Sequence, residues 1–278
     1  NLPEFSRMDS GYWWIELGGN RADIIAESEE IRDELVKCVY GIWDHIKNGG
    51  DHGADNWALE WLGFLPGKRE SRRFRGQVVL TEGDVLRSQP FADAIAFGGW
   101  PIDTHPPAGI DATEEPPCAQ DPVPHLYDIP LSACVGDQPV NLMYAGRNIS
   151  ATHVAFASTR VMATCAAVGQ GVGVSAAMAV RRGIDPAALP ADAAAMAAIQ
   201  QRLLRHDAYL IGIGNEDPLD LARRARASAS SAQPSGEAAQ VLSGQTRTVH
   251  GERGAPPARA CPGLHRWMSD PAAGLPAW

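Results

Sequence analysis

The stretch from residue 141 to residue 182 constrains the fold more than any other part of this chain. An apolar run at residues 142–145 predicts a strand that ends at Gly146, and a polar turn follows, Arg147-Asn148-Ile149-Ser150. Residues 159–180 are mostly small and apolar, and they predict a long helix. This order of strand, glycine turn and helix is typical of an α/β ligand site, because ligands collect at the carboxyl ends of strands and at helix N-termini.

The predicted helix contains three glycines, Gly169, Gly171 and Gly173. A glycine inside a helix costs about 1 kcal/mol relative to alanine. Their presence therefore indicates either close packing of the helix on a sheet or close approach of a flat cofactor. Composition alone leaves both interpretations open.

Several sequence blocks in this region resemble one enzyme family. Residues 145–150 read AGRNIS, residues 158–165 read STRVMATC, and Gly169-Gln170 follows within the helix. Further blocks lie upstream in the order GYWWIELGG, IRDEL, GIWDHIKN, LPGKRESRR, GGWPIDTHPP and YDIP. Together they resemble the C-terminal part of the FAD-dependent oxidoreductase family, which has a glutathione-reductase-like flavin fold, over about residues 10 to 190.

The resemblance implies an α/β fold with FAD as cofactor, specifically the C-terminal part of a two-domain FAD-binding oxidoreductase. The implied flavin-side positions are Gly146, Arg147, Asn148, Gly169 and Gln170. Arg160 precedes the glycine-rich helix, where an anionic group is favoured, and we expect it to contact a phosphate or the flavin pyrimidine edge.

One family feature does not occur in the sequence. No GxGxxG turn, which would bind the ADP half of FAD, is present among the 278 residues. Because the chain also begins at Asn1, we expect a fragment that lacks the first part of its FAD domain and is inactive by itself.

The loop at residues 98–107 carries a second set of chemical side chains. Its prolines stiffen the backbone, and stiff loops on a scaffold often hold functional residues. His105 is a candidate base, because a histidine with a pKa near 6.5 can take a hydroxyl proton while the flavin takes a hydride. Asp103 would orient His105 or cap a turn, and Trp100 would stack on a sugar ring or lie in the core.

His153, just after the glycine turn, is the other candidate catalytic base, since the family places this turn at the flavin. Arg72 and Arg73 belong to a basic run at residues 68–75, and they are candidate substrate-binding residues because guanidinium groups hold carboxylates and phosphates bidentately. The sequence does not decide whether the flavin is attached covalently, and the side chains that could form such a bond are those of His45, His105, His153 and Cys165.

Local patterns predict the remaining elements. Apolar residues at helical spacing predict a helix over residues 22–47 that ends at Asn48-Gly49-Gly50. Strands are predicted at residues 12–17 and 77–80. A further helix is predicted to begin at a Thr81 cap, and others are predicted at residues 55–62, 193–205 and 218–226.

The last part of the chain differs in composition. Residues 225–236 are rich in Ala and Ser, and the region up to Trp267-Met268-Ser269 weakly resembles the opening of a discoidin (F5/8 type C) galactose-binding-like β-sandwich. We therefore predict a flavin-oxidoreductase portion at residues 1–222, and a linker with a truncated β-sandwich start at residues 223–278.

The net charge and the cysteine spacing limit the kinds of ligand and partner that the chain is expected to bind. Residues 223–278 hold seven arginines and three acidic residues, a net charge of +4. Because the whole chain has a net charge of −9, residues 1–222 have a net charge of −13. This acidity argues against nucleic-acid binding. The five cysteines have no metal-site spacing, and we predict no metal site and no membrane span. Export, oligomeric state and compartment remain open, with secretion, a periplasmic location and a cytoplasmic one all allowed.

The favoured function is oxidation of a hydroxyl group of a carbohydrate, or of a related small molecule, by hydride transfer to FAD. Two alternatives remain open. One is a non-enzymatic carbohydrate-binding or cell-surface protein that has lost its cofactor. The other is a polysaccharide lyase in which Arg72, Arg73 and His105 would serve proton abstraction.

Overall fold

The computed structural model describes residues 15–234, 236–244 and 267–274, and these divide between two units. The first unit is drawn from residues 1–71 and 103–120, and the second from residues 72–102 and 121–278. Helices and small sheets are mixed along the chain, as expected for an α/β fold. The predicted boundary between residues 222 and 223 stays a prediction, as does the β-sandwich.

Helix α1, Ser28–Asn48, forms the main element of the first unit. Glu29 and Glu30 lie in its first turn and Lys47 in its last, which suits the helix dipole. The predicted end at Gly49 is confirmed, but the helix begins later than predicted. The reason is that the Asp23 carboxylate accepts the backbone N–H groups of Ile25 and Ala26, which closes a separate turn before the helix.

The predicted helix at residues 55–62 is wrong, because these residues form turns and extended backbone. Lys47 Nζ donates to the backbone carbonyls of Ala54, Asp55 and Trp57 at 2.7–3.1 Å. The ammonium group thus takes carbonyls that a helix would use. Residues 15–17 are not a strand either, and the rest of that predicted strand lies outside the described residues.

The second unit is built on strands β1, Ala94–Gly98, and β4, Tyr127–Pro130, which pair antiparallel with an irregularity between Ala94 and Ala96. Gly98 is opposite Tyr127, whose ring fills the space that a side chain at Gly98 would need. Strands β2, Ile102–Thr104, and β3, Ala119–Asp121, form another two-stranded sheet. The sequence patterns did not predict any of these four strands.

Two long helices cover strand β1. Helix α4, Met162–Arg182, ends at Gly183 with φ +63°, and helix α5 spans Ala193–Arg205, so both predicted helices are confirmed. A Cβ atom at Gly171 would lie 2.7 Å from the carbonyl oxygen of Ile95 in β1, whereas one at Gly169 or Gly173 would meet nothing within 4 Å. Close packing on the sheet therefore explains only the middle glycine.

Short helical elements occur in both units. Helix α2, Glu82–Arg87, begins at Thr81 with a capping box closed by Asp84, as the cap at Thr81 predicted. Helix α3 spans His153–Thr159. The 3₁₀ helices of the described chain are Gly109–Asp111, Leu131–Ala133, Gly146–Asn148, Pro186–Ala191, Leu221–Arg224, Ala238–Leu242 and Pro271–Ala273. The helix predicted at residues 218–226 is thus only a short 3₁₀ turn.

Two predicted strands shrink to single bridges. Residues 142–145 contribute one bridge, between Met143 and Val135, and residues 77–80 contribute one, between Leu80 and Ala151. In the tail, the described part of residues 223–278 contains 3₁₀ turns and no strand, while residues 245–266 lie outside the described residues. Among the described helices, α4 is long and apolar enough to cross a membrane by length and composition, and here it packs against β1 and α5.

Candidate functional site

The end of the basic run, from Arg72 onward, lies beside the glycine turn in the second unit. The backbone N–H of Phe74 donates to the carbonyl of Asn148 at 3.0 Å, and that of Leu80 donates to the carbonyl of Ser150 at 3.0 Å. Thr152 N–H returns a bond to the carbonyl of Leu80 at 2.9 Å. These bonds fix the backbone of residues 74–80 along residues 148–152, and so place Arg73 beside the start of helix α3.

The glycine turn packs against helix α4, as the order of the elements predicted. Gly146 has φ +69°, a left-handed conformation that favours glycine, and no atom lies within 4 Å of where its Cβ would be. Arg147 and Asn148 next to it are exposed. The turn therefore offers an open backbone and two polar side chains to a ligand.

His153 begins helix α3 within reach of the charges of two guanidinium groups. Removal of the ring from solvent and the nearby charges of Arg73 and Arg160 lower the pKa of His153 below its ordinary value. The guanidinium carbon of Arg73 lies 5.9 Å from the ring centroid of Phe156, one helical turn further along α3. His153 is nevertheless exposed, so its neutral form predominates near neutral pH and is accessible to a ligand.

The N-terminus of α4 faces the same basic group of residues. Its N-cap, Val161, has no side chain that can accept the first N–H groups of the helix. Arg160 immediately precedes it, and the Arg147 charge acts on Cys165 in the first turn of the helix. Burial outweighs that charge and raises the pKa of the Cys165 thiol, which keeps the thiol protonated.

Trp100 is held at the other end of helix α3. Ser158 Oγ donates to the carbonyl oxygen of Trp100 at 2.5 Å, and it lies 2.6 Å from Tyr127 Oη. Because the Ser158 hydroxyl has a single hydrogen, the phenol of Tyr127 donates to it. The backbone of Trp100 is thus fixed while the residue as a whole is 45% exposed. About 8 Å of helix axis separates Ser158, which anchors it, from His153.

Other predicted residues are not gathered at this place. Arg72 is exposed, and its neighbour Arg73 is the one that joins His153. Gly169 lies roughly 10 Å along the helix axis from the start of α4. Gln170 donates to the carbonyl of His206 at 3.1 Å, next to the end of α5. The substrate role predicted for Arg72 and the flavin roles predicted for Gly169 and Gln170 remain predictions.

His105 and Asp103 belong to the first unit, where His105 has a partner that sequence reasoning missed. His105 Nδ1 lies 2.7 Å from Glu16 Oε2, whereas its Nε2 lies 3.7 Å from Asp103 Oδ1. Arg69 bonds the same Glu16 carboxylate. Glu16, rather than Asp103, is therefore the carboxylate that orients His105, and the only sequence signal was an acidic residue inside an aromatic and apolar run.

The comparison with known protein families bears on this arrangement. A family model described as FAD dependent oxidoreductase matches residues 4–203. The chain belongs to the FAD-dependent oxidoreductase family. The match spans both candidate bases, the glycine turn and all of α5 except its last two residues. No curated protein and no solved structure matches the chain.

The residues around the glycine turn fit the cofactor of this family. Three guanidinium groups and an uncapped helix N-terminus form an electropositive surface, which suits phosphates and the electron-rich pyrimidine edge of a flavin. The open backbone at Gly146 permits close approach of a flat ring. The FAD-binding role predicted for Gly146, Arg147 and Arg160 fits this surface and stays a prediction.

Proposed function

We propose that this flavin oxidoreductase oxidises a hydroxyl group of a carbohydrate or related small molecule, with His153 as the general base. The observation that carries the proposal is the environment of His153, an exposed imidazole whose pKa is lowered by partial burial and by Arg73 and Arg160. An imidazole that stays neutral near neutral pH can accept a proton, which is the state a base needs.

FAD, when bound, accepts the hydride that leaves the carbon bearing the hydroxyl group. His153 would take the hydroxyl proton, and the substrate carbon and oxygen would become a carbonyl. Arg147 and Arg160, with the N-terminus of α4, would stabilise the negative charge that the cofactor gains. Arg73 would then orient the substrate or hold an anionic group on it.

Support for a carbohydrate substrate comes from Trp100. Its fixed backbone and half-exposed indole offer a rigid apolar face of the kind on which a sugar ring stacks. The backbone carbonyl of Trp100 is bonded by Ser158, near the C-terminal end of the short helix that His153 begins.

The experiment is anaerobic mixing of the full-length, FAD-loaded holoenzyme with a panel of aldoses, uronates and oligosaccharides, followed by measurement of the flavin absorbance. Bleaching by a sugar identifies the substrate class. His153→Gln should then slow flavin reduction by about 10²–10⁴-fold, the usual contribution of a general base. His206→Gln, at the exposed end of α5, is the matched control and should leave the rate unchanged.

His105→Gln tests the other base candidate. Glu16 Oε2 lies 2.7 Å from His105 Nδ1 and orients the imidazole ring of this candidate. If His105→Gln abolishes flavin reduction while His153→Gln does not, the base assignment moves to His105. If no member of the panel bleaches the flavin, the carbohydrate assignment fails, although the family and cofactor stand.

A further inference from the structure

A cluster of metal-ligating side chains lies in the first unit, independent of the residues proposed for flavin chemistry. Among the described residues, His45, Asp51 and His52 place one possible ligand atom each within 4.8 Å of one another. His45 belongs to the last turn of α1, and the other two lie in the loop after the Gly49-Gly50 stop.

The spacing of these atoms matches that of ligands around one metal ion. His45 Nε2 and His52 Nε2 are 3.1 Å apart, and His52 Nε2 is 3.4 Å from Asp51 Oδ1. In a tetrahedral zinc site, ligands at about 2.0–2.1 Å from the metal lie roughly 3.3 Å from each other. Two imidazoles and one carboxylate are also a donor set that suits Zn²⁺.

Glycines in the loop allow the backbone to bring the three side chains of the cluster close together. Gly50 and Gly53 have φ +83° and +64°, conformations that other residues adopt with strain. A Cβ at Gly49 would lie 2.5 Å from the His45 carbonyl oxygen and 3.2 Å from Asp51 Oδ1. Lys47 fixes the far side of the loop through its three bonds to the carbonyls of residues 54, 55 and 57.

Burial is asymmetric across the cluster. The His52 side chain is only 9% exposed, whereas that of Asp51 is 72% exposed and His45 is also exposed. A metal ion between them would therefore have its protein ligands on one side and solvent on the other, and water would supply the fourth ligand.

We propose that His45, Asp51 and His52 form a zinc site that fastens the loop at residues 49–57 to the end of helix α1. Three protein ligands and one water complete the coordination. Cysteine spacing offers no hint of this site, because the ligands are two histidines seven positions apart and the aspartate between them.

The test is titration of Zn²⁺ into the tag-free, chelator-treated protein by calorimetry. One Zn²⁺ per chain is expected. His45→Ala and Asp51→Asn change exposed side chains, so the fold should tolerate both, and each should weaken binding at least tenfold, because even loss of an outer partner of a ligand costs about 10–100-fold. His52→Ala should do the same, with circular dichroism confirming that the variant is folded.

His206→Ala is the control, since this exposed histidine lies outside the cluster. It should bind zinc like the wild type. If the wild type binds no zinc, or if His45→Ala and Asp51→Asn bind with unchanged affinity and stoichiometry, the proposal is wrong and the short His45–His52 contact is a hydrogen bond between neutral imidazoles. This outcome is independent of the flavin assay, because its readout is metal binding.

Discussion

Gly171→Ala tests whether helix α4 is packed as closely on strand β1 as the structure shows. The added Cβ would lie 2.7 Å from the carbonyl oxygen of Ile95 and 2.9 Å from its Cβ and Cδ1. These distances are well below the contact distance of about 3.5 Å at which attraction is greatest. The helix or the strand must therefore move, because the atom that the new methyl group would meet first belongs to the backbone, which does not rotate away.

Two opposing free energies decide the result. Replacing a helical glycine by alanine stabilises the folded state by about 1 kcal/mol, and overpacking a core costs typically about 1–3 kcal/mol. For Gly171→Ala we expect a net destabilisation of roughly 0–2 kcal/mol. Gly169 and Gly173 provide matched controls in the same helix, because an added Cβ there meets nothing within 4 Å.

The measurement is urea unfolding followed by circular dichroism. Gly169→Ala and Gly173→Ala should raise the free energy of unfolding by about 0.5–1 kcal/mol, and Gly171→Ala should lie about 1–3 kcal/mol below them. Equal stabilisation by all three substitutions would show that α4 does not approach β1 as closely as described. Gly169→Ala also asks whether this glycine contacts the flavin, since weaker FAD binding with unchanged folding would support the predicted contact.

Two further predictions concern helices α2 and α3. Because the pKa of His153 is lowered, the folded state binds a proton on this imidazole less tightly than the unfolded state does. The contribution of His153 to stability is therefore fully present above the unfolded pKa of about 6.5, and it falls as the pH drops below that value. His153→Gln should therefore flatten the dependence of the unfolding free energy on pH between about pH 7.5 and pH 5, and an unchanged slope would contradict the assigned environment. Thr81→Ala removes the capping box of α2 and should lower the unfolding free energy by about 1 kcal/mol, whereas Thr81→Ser should retain most of it; equal losses in thermal or urea unfolding would rule out the cap.

Helices were predictable where periodicity and end signals agreed. Helix α5 has the predicted bounds, and α1 and α4 end at the glycines that the sequence indicated. Strands were poorly predicted, because strand pairing is non-local. Strand β1 is short and rich in alanine, and its identity depends on pairing with β4 about thirty residues later.

For the candidate site, too, the sequence indicated individual residues but not which side chains meet. Resemblance to a flavin family indicated the Gly146 turn, Arg160 and His153, and the structure brings these residues together around the starts of α3 and α4. Sequence reasoning treated Arg72 and Arg73 as equivalent, but the structure distinguishes them, because only Arg73 lies over Phe156. It also chose Asp103 as the partner of His105, since Asp103 was nearby in sequence, and the structure shows Glu16 instead.

Local sequence signals were enough for the family, the cofactor class and the places where the long helices end, because glycine and capping signals and spaced motifs act over a few residues. Which side chains meet was settled by tertiary packing. Glu16 reaches His105 from a segment far away in sequence, and the chain returns at residues 148–152 to fix the segment that carries Arg73. Likewise, Lys47 donates hydrogen bonds to three backbone carbonyl groups and so fixes the loop in which His52 lies next to His45. These contacts depend on how distant segments pack together, and no local pattern of residues encodes that packing.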